Sequence, residues 1–474
     1  MNLFSVGQPF NTSVPDVYIV EDFGQPPISD TIGSNVIGIV GAADWGGDEV
    51  IYQSSNPRDL VKLFGGRENE LGKKIDSIAH SGRYNIAAVR VVGAGALAAS
   101  LDAAAGSTTT WDFAWTFRGS KGNDTLLEIV LGDIADTVTL IFKLDDDYFI
   151  LRNVDNDPDS ENYIGDKFNI PNMTFTKTGV STDLPEVTTS DLEFTGGDDG
   201  SPPVDGDYID GSDKLLGSTD ITHFMYAKTP TPAALITAAE GYASEYQIFH
   251  FVTPTESDIV TDFADCITEA KGYTSKFVCT CMGNVYYFNR DTNATEHIPL
   301  VGFITMAAKY GATGSPLGKN SPYRWVETWS KLQREQMSDV HLCYARNDGQ
   351  GWYINDLRTG VRDLYQSDVM VRSTYNIVER IIARNLRSAI GMTGKVDERK
   401  ARIAATLRGV GQFLTDRGIL EEYAVDVSKI TDAMVARGEL VADFYVGKFP
   451  ANRTTIIHVK RLTDGSTSFT EEVL

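Results

Sequence analysis

Residues 221–252, ITHFMYAKTPTPAALITAAEGYASEYQIFHFV, decide the fold. Apolar runs at 221–227 and 246–252 read as strands, and TPAALITAAEGYA between them reads as a helix. The pattern repeats at once: ESDIVTDFADCITEAKG (256–272) is helix-like and KFVCTCM (276–282) strand-like. Strand and helix in alternation predict parallel βαβ units, whose strands are apolar on both faces because helices cover both.

The same grammar appears near the start. NVIGIVGAA (35–43) reads as a buried strand. NPRDLVKLFGG (56–66) is a short helix, with Asn56 as cap, Pro57 at the first position and glycine past the end. A second helix around Leu71–Ala79 and the strand NIAAVRVV (85–92) follow. Residues 93–214 change character. Trp111–Phe117, Leu126–Leu131, Thr137–Phe142 and Tyr148–Val154 are short β-type runs between Gly, Asp and Asn turns, closed by the turn-rich, acidic GGDDGSPPVDGDYIDGSD (196–213). Beyond 346, GWYINDLRTGV is strand-like, and two amphipathic helices span about 368–390 and 397–417. In the second, Ile403, Leu407, Val410 and Leu414 recur at helical spacing, and Gly418 supplies the stop. EYAVDV and LVADFYVGKF then read as strands.

The reading is therefore an α/β multidomain chain. A split α/β core (35–92 and 215–345) carries a β-rich surface insertion (93–214), followed by a C-terminal α+β domain (346–453). Extended arms occupy 1–34 and 454–474. In the first arm Val17, Tyr18, Ile19 and Val20 form an unbroken apolar run behind Pro15. The second, TTIIHVKRLTDGSTSFTEEVL, is strand-forming and holds Ile456, Ile457, Val459 and Leu462. Two homes suit it: a local hairpin turning at Asp464-Gly465, or the edge of a sheet on another molecule.

Bulk properties bound the function. Hydrophobic content of 42% and charged content of 23% are ordinary for a globular protein, and no apolar run is long enough to span a bilayer. No basic-then-apolar leader opens the sequence. A net charge of −23 argues against broad affinity for nucleic acid or anionic lipid. Cys279 and Cys281 fall on one strand face, as core thiols do. Against this acidity, residues 371–417 hold ten Lys/Arg and four Asp/Glu, a net +6 that leaves −29 elsewhere. Solvated helix faces or a docking face for an acidic partner both account for it.

Catalytic signatures are weak. VRVVGAGALA offers Gly93, Gly95 and Ala98 after a strand, but no ribose-binding acid in a βαβ context follows. GSPLGKNS places Gly314 and Gly318 one residue too close for a phosphate loop, and Asn320 replaces the magnesium-binding hydroxyl. DNDPDSENYIGD (155–166) lacks the glycine a calcium loop needs at its sixth position. We expect no enzyme, no cofactor and no metal site.

The openings SVPDVYIVED, NVIGIVGAADWG and NPRDLVKLFGG resemble those of contractile-tail sheath proteins of bacteriophages. GWYINDLRTGV, STYNIVERIIARNLRSAI, ERKARIAATLRGVGQFLTDRGILEEYAVDV and LVADFYVGKFPANRTTIIHVKR resemble that family's C-terminal domain and closing strand. The resemblance implies a structural subunit that polymerises helically around a tail tube and contracts to drive it through the host envelope for genome delivery. The sheath of a headless contractile particle is the alternative, and a nucleotide-dependent α/β enzyme a more distant one. It further implies arms that add strands to neighbouring copies, with Val17–Val20, Ile456, Ile457, Val459 and Leu462 at the interfaces. The C-terminal domain would face the tube, through Arg380, Arg384, Arg387, Arg399 and Lys400. Implied partners are further copies of the chain and the tube, baseplate and tail-terminator proteins, with no direct nucleic acid and no membrane insertion. The setting would be a virion tail assembled in the bacterial cytoplasm.

Overall fold

The computed structural model describes residues 35–106, 109–218, 221–246, 248–254, 262–310, 321–347, 349, 351–363, 367–386, 395–416, 420, 422–436, 441–447, 455–461 and 467–473. The chain opens with strands β1 (Val36–Ala42) and β2 (Ile51–Ser54), helices α1 (Pro57–Leu63) and α2 (Glu70–Ala79), and strand β3 (Asn85–Val91). Strands β4 (Ala98–Ala105), β5 (Thr109–Arg118), β6 (Leu126–Leu131), β7 (Val138–Leu144) and β8 (Asp147–Val154) follow, then helix α3 (Ile164–Lys167) and strands β9 (Met173–Thr178) and β10 (Leu192–Glu193).

Helix α4 (Asp205–Ser218) returns to α/β alternation, with β11 (His223–Tyr226), α5 (Ala233–Tyr246), β12 (Phe249–Val252), α6 (Phe263–Ala270) and β13 (Val278–Thr280). A hairpin of β14 (Asn284–Asn289) and β15 (Ala294–Pro299) leads to helices α7 (Val301–Tyr310) and α8 (Lys331–Asp339) and a second hairpin, β16 (Tyr344–Asn347) with β17 (Trp352–Asp356). Last come helices α9 (Val369–Leu386) and α10 (Val396–Asp416), strand β18 (Glu422–Asp426), helix α11 (Asp432–Ala436), and strands β19 (Asp443–Gly447), β20 (Thr455–Arg461) and β21 (Thr467–Val473).

One six-stranded sheet, ordered β13-β12-β11-β1-β3-β2, organises the body. Its strands run parallel except β2, which is antiparallel to β3. β1 lies between β3 and β11, so Ile37 pairs with both Ile86 and His223 although 137 residues separate the last two. Residues 36–91 and 223–280 thus build one sheet, and the segment between them leaves it and returns. Every residue from Val36 to Gly41 is buried, as a strand covered on both faces must be. Ile37 and Ile39 pack with Leu71, Ile75 and Ile304 on one face, while Val36 and Val40 pack with Tyr208, Leu215 and Leu235 on the other. The four cysteines are free and buried, with Cys279, Cys281 and Cys343 in the first of these clusters.

Residues 98–193 form two antiparallel sheets, β4-β5-β9 and β10-β6-β7-β8, around Trp111, Phe113, Leu140, Phe142 and Phe194. This body is bolted to the main sheet. Trp45, just past β1, inserts edge-on against Trp115 (5.1 Å) and Phe117 (5.4 Å). Arg90, fully buried near the end of β3, donates to the carbonyls of Ala43, Gly46 and Arg118 and to Asp48. The exit and return strands touch: Ser201 N donates to Ala94 O, and a β-carbon on Gly93 would fall 1.7 Å from Ser201 O.

Two stretches depart from the sequence reading. The acidic residues 205–213, read as turns, begin helix α4. Its first turn carries Asp205 and Asp207, which suit a helix N-terminus, and Tyr208, Leu215 and Leu216 supply the buried face. At the C-terminal side, Ile354, Leu357 and Val369 pack with the main-sheet cluster, so a separate second core starts only at Val378.

Candidate functional site

Three features toward the C-terminus bear on contacts with other molecules. The first is the terminal ribbon. β20 and β21 pair antiparallel over seven positions each, from Thr455–Val473 to Arg461–Thr467, and form a sheet of their own. The local hairpin therefore exists. Its register is centred on residue 464, one position off a two-residue Asp464-Gly465 turn. In the observed register Val459 stands opposite Phe469, Ile457 opposite Glu471 and Thr455 opposite Val473. A one-residue slip would move Phe469 and Val473 to the opposite face.

The second feature is the two-stranded sheet β18–β19. Tyr423, Val425, Phe444 and Val446 cover the cluster formed by Val378 and Ile382 of α9 and Ile403, Leu407, Val410 and Leu414 of α10. The other face presents Ala424 and Tyr445, and Tyr445 is 56% exposed. Lys429 bonds Asp443 at 2.6 Å, which raises the lysine's pKa. The backbone N–H of Ser428 donates to Asp426 and holds that carboxyl below its usual range. Among the described residues no further strand pairs with this sheet, and both its long edges carry unused ladder groups.

The third is the basic run. Arg372 does not belong to the surface: it is fully buried, bonds Glu379 (2.8 Å) and Asn376 (2.7 Å), and lies over the Phe277 ring. This pair removes one charge of each sign, so the excess of +6 stands. Arg399 and Lys400 are half-buried on the first turns of α10, and Lys400 lines a cleft with Asp397, Ser428 and Asp432. Arg402 and Arg408, which the sequence reading counted without singling out, are exposed on the same helix. The signal for them was available, since both flank the apolar stripe Ile403–Leu407–Val410.

Of the arm residues, Ile456, Ile457 and Val459 lie in β20, whereas Val17–Val20 and Leu462 fall outside the described residues. Arg380 and Arg384 sit on α9 with side chains outside them, as does Arg387 altogether. The calcium-like stretch is an Asx turn: Asp155 accepts from Asp157 N and from the Ser160 hydroxyl, and Asp157 accepts from Asp159 N. No cluster of three or more His, Cys, Asp or Glu arranged for a metal occurs among the described residues. The Gly93–Gly95 segment runs into strand β4 rather than into a helix of its own, as a dinucleotide fingerprint would. GSPLGKN lies outside the described residues.

No protein-family model matches the sequence, and no curated protein matches it. Solved structures do resemble it in fold. The sheath tail protein of Listeria innocua aligns over 89% of this chain and 96% of its own, with a TM-score of 0.61 and 12% identity. A sheath tail protein from Desulfitobacterium hafniense aligns over 94% and 100%, at 0.58 and 10%. The contracted sheath complex of an extracellular contractile injection system, PVC, aligns over 96% and 99%, at 0.57 and 11%. The chain has the fold of sheath tail proteins.

Proposed function

We propose that this protein is the structural subunit of a contractile tail sheath. Copies stack helically around a rigid tube in a metastable array, and the free-energy difference between two packings drives the tube through a cell envelope. The observation that carries this reading is the fold likeness, which runs over nearly the whole chain and includes a sheath in its contracted state. Action of this kind needs bistable interfaces rather than a reaction centre. The ribbon β20–β21 and the open sheet β18–β19 suit strand addition between copies, a head-to-tail contact that propagates without closing. The basic helices suit an acidic tube, and baseplate and terminator proteins would cap the array.

Negative-stain microscopy of the purified protein tests the reading: tubes or rods of regular repeat are expected. Strictly monomeric behaviour by sedimentation at high concentration, with both arms intact, overturns it. Within this reading we place the sheath on a phage tail that delivers a genome. The sheath of a headless contractile particle is the alternative, and co-purification of a capsid with the rods decides between them.

A further inference from the structure

Strand β20 carries Ile456, Ile457 and Val459, the residues assigned above to contact with a neighbour, yet in this subunit one of its two edges is already taken. β21 pairs with it from Thr455 to Arg461 without a gap. We propose that β21 is a guard strand: it occupies an edge of β20 in the free subunit and must leave before that edge can join another copy. The proposal rests on the strand-exchange reading and adds a regulatory step to it.

The composition of β21 suits a partner built to be replaced. Its register puts Phe469 beside Val459, the one apolar pair of the ribbon, and Val473 beside Thr455. Opposite Ile456 and Ile457, however, stand Glu472 and Glu471, poor strand formers beside two of the strongest. An incoming strand with apolar residues at those positions would make the same main-chain bonds and better side-chain pairs. The ribbon is also isolated, and a two-stranded hairpin alone is marginal in water. Closing is therefore weak and reversible. A guard that is shut about ten times more often than open raises the concentration needed for assembly about tenfold. Polymerisation would then wait for a high local concentration, such as a growing ring supplies.

The test compares three variants with the parent chain for rod formation by light scattering and sedimentation. Removal of residues 463–474 leaves β20 unguarded and should lower the concentration at which rods appear by about tenfold. Ile457→Cys with Glu471→Cys, directly opposite in the ribbon, should lock the guard when oxidised. The four native thiols are buried and spared by a mild oxidant. Oxidised protein should stay unassembled and reductant should release it. Unchanged or raised assembly concentration after removal of 463–474, or equal assembly of oxidised and reduced protein, overturns the guard. Removal of 455–474 is the separate control: loss of rods there with no effect of the shorter deletion rejects the guard alone, while normal rods reject strand exchange by this arm and the guard with it.

Discussion

The ring of Tyr423 rests on the backbone of Gly411: a β-carbon at that helix position would lie 2.3 Å from Cδ2 of the tyrosine. The same ring stacks on Phe444 at 5.9 Å and 18°, so α10, β18 and β19 meet at one point. Gly411 is buried in mid-helix, where glycine normally costs stability, and the close approach of β18 is the reason for it. Gly411→Ala should destabilise the C-terminal region by about 1–3 kcal/mol through overpacking. Gly409 on the same helix meets nothing within 4 Å, so Gly409→Ala should stabilise by up to about 1 kcal/mol. Urea unfolding of both variants checks the pair. A Gly411→Ala protein as stable as the parent would mean that the sheet does not sit on the helix as described.

Trp45 belongs to the main sheet by sequence and to the insertion by packing. Its truncation to alanine removes the edge-on contacts with Trp115 and Phe117 and should cost about 3–5 kcal/mol. Because that contact joins two bodies, limited proteolysis should then cut the paired connectors near 93–96 and 200–204 before either body degrades. Uniform digestion with no early fragment would count against a docked insertion.

The main sheet was largely legible because its strands are continuous apolar runs and its helices carry caps and stops. Asn56 stands at the N-cap position of α1 with Pro57 next, although its amide bonds the Asp59 side chain rather than capping the helix. Helix α4 was missed because aspartates and glycines dominate its first half, and its buried stripe Tyr208, Gly211, Ser212, Leu215 and Leu216 has a glycine and a serine at its centre in place of apolar residues. The joints were hidden for a different reason. Arg90 is held by Ala43, Gly46, Asp48 and Arg118, and Arg372 by Asn376, Glu379 and the ring of Phe277, and no local pattern in the sequence announces that either guanidinium is interior. In the tail, strand-forming residues and the Asp464-Gly465 dipeptide suggested a hairpin, but in a register one residue away from the observed one.

His250 gives the fold an acid limit. It lies in β12, fully buried between Phe224 (4.7 Å) and Tyr226 (5.2 Å), and neither ring nitrogen has a hydrogen-bond partner. Burial lowers its pKa to about 3. Between the unfolded value near 6.5 and the folded value the unfolded chain binds more protons, so stability is complete above the upper value and falls with acidification. The slope from this residue approaches about 1.4 kcal/mol per pH unit inside that window. His250→Leu should flatten the decline, as measured by denaturant midpoints from pH 7 to 4. Parallel curves for the two proteins would show that the histidine is not what titrates.

Tube docking by α10 is tested by charge reversal. Arg399→Glu with Lys400→Glu should weaken binding to an acidic tube while leaving rod formation intact. Each exposed pair is worth only about 0.2–1 kcal/mol, but the contact repeats along the array. Co-sedimentation with tube at low and high salt reads the effect, which salt should erase in the parent. Equal tube occupancy of parent and variant at both ionic strengths would remove the basic helices from the interface.

Deleting residues 455–474 separates the two roles open to the tail. The ribbon forms a sheet by itself and shares no ladder with the body among the described residues, so its loss should leave the melting temperature of the subunit within about a degree. Between copies the balance differs. Ile456, Ile457 and Val459 would each contribute about 1.5–3 kcal/mol if fully buried against a neighbour, and each ladder bond about 0.5–1.5 kcal/mol. These gains are large against the few kcal/mol that decide whether a subunit stays in an array. The expected result is therefore a normally folded protein that forms no rods. If the ribbon instead served its own subunit, the outcome would reverse: a lower melting temperature with rods still present. Calorimetry and microscopy on one truncated preparation distinguish the two, because each role predicts a change in the quantity that the other leaves alone.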